Sequence, residues 1–339
     1  MQALVRFGMG DDDTRLEDVP EPSPAPHEVK IEVKAAGVCG TDIQGHPSLR
    51  PPVILGHELA GVVVELGDEC GTRKVGDRVT SETTKSLCGK CRYCTDGPVS
   101  LCIDRRGMAS SADGCFAQYV CLPEASTHVL PAGVGFAAGA LTEPLACATH
   151  AVFEQAGVAE GEFIVVTGPG SLGLLVARCS AVLGARVLVA GTGADAERLA
   201  LARQFEAKWT VDVEAEDLRE LVRSLTDGYG ADTVIECSGS AAAVPAGLAC
   251  LRKRGRYVQA GILHREVSLD FDDVFFVREL TLAGSHTSNP VSWTLALKLL
   301  AAGRIDLRPL ITTTLPLAEW RQAFELMRTR EAIKVVLTP

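Results

Sequence analysis

From about residue 146 the sequence alternates short, continuous apolar runs with helical patterns. FIVV (163–166), RVLVA (186–190), WTVD (209–212), DTVIE (232–236), RYVQA (256–260) and LTLAG (280–284) read as strands buried on both faces. SLGLLVARCSAVLG (171–184), DAERLALARQF (195–205) and EDLRELVRSLTDG (216–228) read as the helices that join them. Six such strands with crossover helices point to a doubly wound parallel sheet. The preceding residues have another texture. VKIEVKAAGVC (29–39), LAGVVVEL (59–66), KVGDRVT (74–80) and FAQYVCLP (116–123) are short β-prone stretches broken by Gly, Pro and Asp, as in a twisted all-β domain or barrel. After the parallel sheet, VSWTLALKLLAAG (291–303) reads as a helix closed by Gly, and IKVVLT (333–338) as a strand.

Charge narrows the partners. Of 339 residues, 33 are Lys or Arg and 43 Asp or Glu, a formal net charge of −10 without a basic stripe, which argues against nucleic acid. No apolar run reaches the ~18 residues of a membrane span, and the opening MQALVRFGMGDDD carries no apolar signal core, so the expectation is a soluble cytoplasmic chain. In that compartment its 12 cysteines stay reduced, and clustered ones indicate metal or catalysis rather than disulfides.

Cys88, Cys91, Cys94 and Cys102 are separated by two, two and seven residues, with Gly89 and Gly97 allowing tight turns. Four thiolates at such spacing suit a closed tetrahedral Zn²⁺ with a structural role. A second, mixed set consists of Cys39 in AGVCGTDI and His57-Glu58 in ILGHELAG. Thiolate, imidazole and carboxylate leave a fourth position open, the mark of a catalytic metal, although a buried thiol and a hydrogen-bonded His are the ordinary alternatives. Glu143 in LTEPLACATH adds a carboxylate where the texture changes, or else a helix-terminus charge.

Directly after FIVV, Gly168, Gly170 and Gly173 with Ser171 and Leu172 form GPGSLG at the mouth of an apolar helix, the context in which a glycine-rich turn binds a dinucleotide. The second strand should end in an acid if the ligand is NAD. Instead Gly191, Thr192 and Gly193 come next, and the first acid, Asp195, reads as a helix cap. A small shelf with Arg198 one turn later favours NADP(H) over NAD(H), with Arg198 as a solvated helix charge the alternative.

With these motifs assembled, the chain resembles the zinc-dependent medium-chain alcohol and polyol dehydrogenases, the group that includes sorbitol and threonine dehydrogenases. AGVCGTDI, ILGHELAG, VGDRV, CGKCRYC with its fourth Cys, LTEPLACATHAV, GPGSLG, VIECSG (234–239) and RELTLAGS (278–285) carry the likeness over nearly the whole chain. The resemblance implies a GroES-like barrel from residues 1–145 with 290–339, including a structural zinc lobe at 86–103, and a Rossmann domain at 146–289. It implies a catalytic zinc on Cys39, His57 and Glu58, with Glu143 as an alternate or water-bridged ligand. It also implies cofactor contacts from the glycine loop, Cys237, Ser238, Gly261, Ile262 and Leu263, with Thr149 near the nicotinamide, and a homodimer or homotetramer that can pair strand 280–284.

Two departures bear on the substrate. Gln44 stands where the family's relay ends in His, so the relay from Thr41 passes to His46 or to water, and the segment from Cys39 to His57 is shorter than usual. Pocket candidates are loop 44–52, Phe116, Phe275 or Phe276, and His286. The expected reaction is hydride transfer between NAD(P)(H) and a secondary alcohol or ketone on a polyol, sugar or cyclitol, run as a biosynthetic ketone reduction if NADP(H) is the partner. The alternatives are an NAD-linked catabolic polyol or threonine-type dehydrogenase, and a nucleotide-binding regulatory protein that keeps the zinc staple.

Overall fold

Apolar residues in QALVR and a glycine-containing turn start the chain as a hairpin, β1 (Gln2–Arg6) antiparallel to β2 (Thr14–Asp18). The computed structural model describes residues 1–10, 13–45 and 48–339, and His46 lies outside them. It comprises two compact units, one of Met1–Glu143 with Ala296–Pro339, the other of Pro144–Leu295.

In the first unit β3 (Glu28–Gly37), the short α1 (Gly40–Gln44), β4 (Val53–Ile54), β5 (Glu58–Leu66) and β6 (Arg78–Ser81) follow. A small excursion carries β7 (Thr84–Ser86), α2 (Arg92–Asp96) and β8 (Arg106–Gly107). Then come β9 (Tyr119–Pro123), β10 (Thr127–Val129), α3 (Phe136–Ala140) and α4 (Thr142–Thr149), the last running across the boundary.

The second unit begins its sheet with β11 (Phe163–Thr167), α5 (Ser171–Val182), β12 (Arg186–Gly191), α6 (Ala196–Gln204) and β13 (Trp209–Asp212). It continues with α7 (Leu218–Leu225), β14 (Ala231–Glu236), α8 (Ala243–Cys250), β15 (Leu251–Gln259) and β16 (Thr281–Gly284). Helix α9 (Pro290–Ala301) leads back to the first unit, which ends with β17 (Ile311–Pro316), α10 (Trp320–Arg328) and β18 (Lys334–Thr338).

The main sheet of the first unit has the order β10-β6-β5-β3-β18-β17, with β9 also pairing β3. Period-two burial along β3 and β5 turns Val29, Ile31, Val33, Leu59 and Val63 inward, against Leu4, Leu122, Trp320 and Phe324. The returning chain therefore completes this core. Register β3 to β5 pairs Gly37 with Glu58, which brings the residues just after β3 beside those at the head of β5.

The second unit is a six-stranded parallel sheet, β13-β12-β11-β14-β15-β16, with its order reversing between β11 and β14. In such sheets ligands bind at the carboxyl ends of the strands, at that switch point. Strand β15 starts five residues earlier than RYVQA suggests, because Arg252, Lys253 and Arg254 hide the pattern and its pairing with β14 shifts register between Ala231 and Thr233. Among the described residues no helix is long and apolar enough to cross a membrane.

Candidate active site and metal centres

Strand pairing builds the first centre. Cys39 caps α1 directly after β3, while His57 and Glu58 open β5, and one ligand atom from each lies within 4.8 Å of the other two. Asp42, which sequence reasoning gave no role, holds the geometry. Its Oδ2 accepts the Cys39 backbone N–H at 2.9 Å, its Oδ1 accepts that of Gly56 at 3.2 Å, and Oδ1 lies 3.5 Å from His57 Nδ1. Burial disfavours a protonated His57, but Asp42 and then Cys39 outweigh it and hold the imidazole well above its ordinary pKa. A site that holds a proton so firmly is an anionic field, suited to a divalent cation in its place.

Glu58 is 1% exposed. Its Oε1 accepts from Lys334 Nζ at 2.6 Å, and the same ammonium donates to Val38 O at 3.0 Å. Among the described residues its Oε2 is buried with no hydrogen-bond partner. An orphaned carboxylate oxygen is costly unless something positive meets it, so the residues present fit a metal ion. Lys334 itself stays charged: burial opposes the ammonium, and Glu58, Cys39 and Glu143 overcome it and raise its pKa.

Glu143 is buried in the first turn of α4, outside the 4.8 Å triangle of Cys39, His57 and Glu58. Thr41 is half-buried and Gln44 exposed on α1. Phe116 is not a pocket residue. Its side chain is fully buried in the core, 6.5 Å from the Phe324 ring, and packs so tightly on Gly56 that a Cβ there would come within 2.3 Å of it. Phe275, Phe276 and His286 are exposed in the second unit.

The four-cysteine lobe closes on itself. Sγ separations are 3.6 Å for Cys88–Cys102, 3.6 Å for Cys91–Cys94 and 3.9 Å for Cys88–Cys94. Backbone N–H groups of Cys88 and Cys91 donate to the sulfurs of Cys102 and Cys88, each at 3.4 Å. Such donors stabilise thiolates: the N–H of Ile103 leads in lowering Cys91 to about 6, and that of Cys88 in lowering Cys102. Desolvation, with its neighbours' hydrogen bonds, pushes Cys94 up to about 12, so protons are unevenly shared until a cation replaces them. None of the twelve cysteines is in a disulfide, and Cys115, Cys121, Cys179 and Cys250 are buried thiols.

In the second unit Gly168 turns the chain at φ +89°, and Gly170 caps α5 in open space. A Cβ on Gly173 would fall 1.9 Å from Gly168 O, so the first turn of α5 can approach the strand only as glycine. The helix N-terminus is thus bare, as a pyrophosphate requires, with Ser171 and Leu172 in its first turn. Glu236, at the end of β14, fixes the flanking loops. It is fully buried and accepts from Ser238 N at 2.7 Å, from the Ser238 hydroxyl, from Gly239 N at 3.1 Å and from Gln259 Nε2 at 2.6 Å. Gly261 packs on Gly239, where a Cβ would meet its N at 2.4 Å, and Ile262 is exposed beside Leu263. Burial and the Glu236 carboxylate push the Cys237 thiol well up, so it stays protonated. Thr149 is fully buried, its hydroxyl committed to the carbonyls of Ala146 and Ser292.

Comparison with known proteins accounts for both units. Residues 25–132 match the alcohol dehydrogenase GroES-like domain and residues 171–302 the zinc-binding dehydrogenase domain. A sorbitol dehydrogenase of Halalkalibacterium halodurans is 43% identical over 343 residues, covering 100% of this chain and 99% of that protein. A D-arabitol-phosphate dehydrogenase of Enterococcus avium is 38% identical, covering 99% and 97%. A solved zinc-binding dehydrogenase from Sinorhizobium meliloti 1021, bound to NADP, superposes with a TM-score of 0.90 at 30% identity over 100% of this chain and 99% of that one. The barrel unit is GroES-like, the parallel sheet Rossmann-like, and the chain belongs to the zinc-dependent medium-chain alcohol and polyol dehydrogenases, oxidoreductases that act on CH–OH groups.

Proposed function

We propose that the chain interconverts a secondary alcohol and its ketone on a polyol, sugar or cyclitol, using Cys39, His57 and Glu58 to hold a catalytic zinc and Cys88, Cys91, Cys94 and Cys102 to hold a structural one. The observation that carries the reading is the buried, partnerless Oε2 of Glu58, on a residue that converges with a thiolate and an imidazole. When bound, the metal supplies Lewis acidity toward a hydroxyl oxygen and the nicotinamide supplies the hydride acceptor.

The chain's own groups do the rest. Asp42 sets the His57 ring and the Cys39 backbone, and Lys334 restrains Glu58. The Thr41 hydroxyl, two residues from Cys39, takes the substrate proton and hands it outward, to His46 or to solvent. Glu143 remains within electrostatic reach as an alternate or water-bridged ligand. The Gly168–Gly173 loop receives the pyrophosphate on the N-terminus of α5.

The shelf after β12 has no acid directly following it, which supports NADP(H) and reduction of a ketone in biosynthesis; the carboxylates of Asp212, at the end of β13, and of Glu214, just beyond it, adjoin the same shelf, oppose a 2′-phosphate and carry the greater weight. Oxidation of a polyol by NAD is then the favoured direction. The exposed Phe271, Phe276 and Val277, together with the place of β16 at the end of the parallel sheet, support a homodimer or homotetramer, and the free thiols a cytoplasmic setting.

The test is metal analysis with steady-state assay against polyols, polyol phosphates and their ketones. Two zinc ions per chain, one removed by Cys39→Ser with loss of turnover, supports the assignment; unchanged turnover in that variant refutes it.

A further inference from the structure

We propose that the dinucleotide site selects NAD(H) over NADP(H), and that Asp212, which ends β13, and Glu214, two residues on, are the selecting residues. The inference rests on the dinucleotide reading of the glycine loop and deepens it.

The shelf formed by Gly191, Thr192 and Gly193 lies against that loop, since a Cβ on Gly191 would come within 2.9 Å of Pro169 Cγ. No acid comes directly after β12, and on sequence alone the gap reads as room for a 2′-phosphate. The parallel register removes that room. It pairs Gly191 with Asp212, and the Val213 N–H donates to Gly191 O at 2.9 Å, so the end of β13 runs alongside the shelf. Gly193 N donates to Glu214 Oε2 at 3.1 Å, while a Cβ on Gly193 would stand 3.2 Å from Asp212 Oδ2. The carboxylate missing from one strand is resupplied, twice over, by its neighbour.

The donors on the shelf are already used. Thr192 gives both its backbone N–H, at 3.0 Å, and its hydroxyl, at 2.8 Å, to Asp195 Oδ2, and the Gly193 N–H goes to Glu214. Arg198, the expected phosphate partner, has a side chain only 14% exposed and places Nη1 4.0 Å from Asp195 Oδ1. Three carboxylates, from Asp195, Asp212 and Glu214, thus adjoin the shelf, and the guanidinium of Arg198 is beside the first of them. A ribose 2′-hydroxyl can donate to such a surface, whereas a 2′-phosphate can only accept and brings further negative charge. Glu214 is exposed and Asp212 half-buried; Asp212 Oδ1 accepts the Glu214 N–H at 3.0 Å and Glu214 Oε2 that of Gly193, which among the described residues leaves Asp212 Oδ2 and Glu214 Oε1 for a ligand.

The experiment is titration of the zinc-loaded protein with NADH and with NADPH, followed by the fluorescence of the bound nicotinamide, for wild type, E214Q and D212N/E214Q. Wild type is expected to bind NADH at least about tenfold tighter, and the double variant to narrow that ratio about tenfold, chiefly by tightening NADPH. Raising salt should narrow the wild-type ratio and leave the double variant's unchanged. Because Glu214 is exposed, E214Q folds normally and must move the ratio in the same direction. Equal or tighter binding of NADPH by wild type, or a ratio the substitutions leave alone, overturns the inference while sparing the dinucleotide reading. Binding of neither nucleotide overturns both.

Discussion

Lys334 Nζ donates to Glu58 Oε1 at 2.6 Å, with both side chains at most 2% exposed. The pair fixes one carboxylate oxygen and leaves the other, Oε2, for the metal proposed above. It also balances charge, because the ammonium offsets one of the two anionic groups in the proposed ligand set. Lys334→Met strands a buried carboxylate, and the expected loss is about 3–5 kcal/mol of unfolding free energy together with a lower zinc content. Lys334→Arg should retain most of both. Denaturant unfolding and metal analysis measure the two quantities, and a Lys334→Met protein as stable as wild type would remove the role given to this pair.

The two metal centres should come apart by mutation. Cys39→Ser is expected to lose one zinc of two, lower kcat by about a thousandfold or more, and leave NADH binding intact, because the glycine loop is built entirely within the other unit. Cys94→Ser should lose the other zinc and lower Tm by several degrees. Metal stoichiometry, turnover and calorimetry on both variants make the comparison.

Gly173 has the least room of the loop glycines. With a Cβ there only 1.9 Å from Gly168 O, Gly173→Ala must push α5 off the strand. We expect dinucleotide affinity to fall about a hundredfold or more, equally for NADH and NADPH, with zinc content unchanged. Fluorescence titration checks this.

Acid sensitivity should trace in part to Glu124. Desolvation opposes its charge, but backbone N–H groups of Arg73, Gly71 and Thr72, at 2.8, 3.2 and 2.8 Å, outweigh it and hold the carboxyl below its usual pKa. A depressed folded-state value means stabilisation that is present above the unfolded value, near 4.5, and lost as pH falls through the folded one. Glu124→Gln should therefore lower stability at pH 7, and its deficit should shrink below pH 4.5. Unfolding curves of both proteins from pH 7 to pH 3 decide the matter.

Much of the site was legible because its determinants are local. Four cysteines within fifteen residues announce by spacing alone the cluster that the fold brings together, and a glycine loop between strand and helix announces the tight entry into α5. What escaped depends on contacts between distant segments. Lys334 reaches Glu58 only because β18 inserts next to β3, 276 residues away in sequence. Glu214 reaches Gly193 only through the register of β12 and β13, a lateral neighbour that reading along one strand does not reveal. Asp42 lay in plain view within CGTD, yet its task depends on backbone amides at positions 39 and 56. Phe116 was misread for the opposite reason, since an aromatic near a motif suggests a pocket until its burial is known.

The placement of β18 also sets an order of events during synthesis. The whole of Pro144–Leu295 leaves the ribosome before Lys334 does, so the parallel sheet can close while the barrel still lacks an inner strand. At about 5–20 residues per second, Glu58 waits roughly 15 to 55 s for its counter-ion. Until then Cys39, His57 and Glu58 are already made while Glu58 still lacks the ammonium that restrains it, so the proposed zinc set takes its final form only once β18 has emerged.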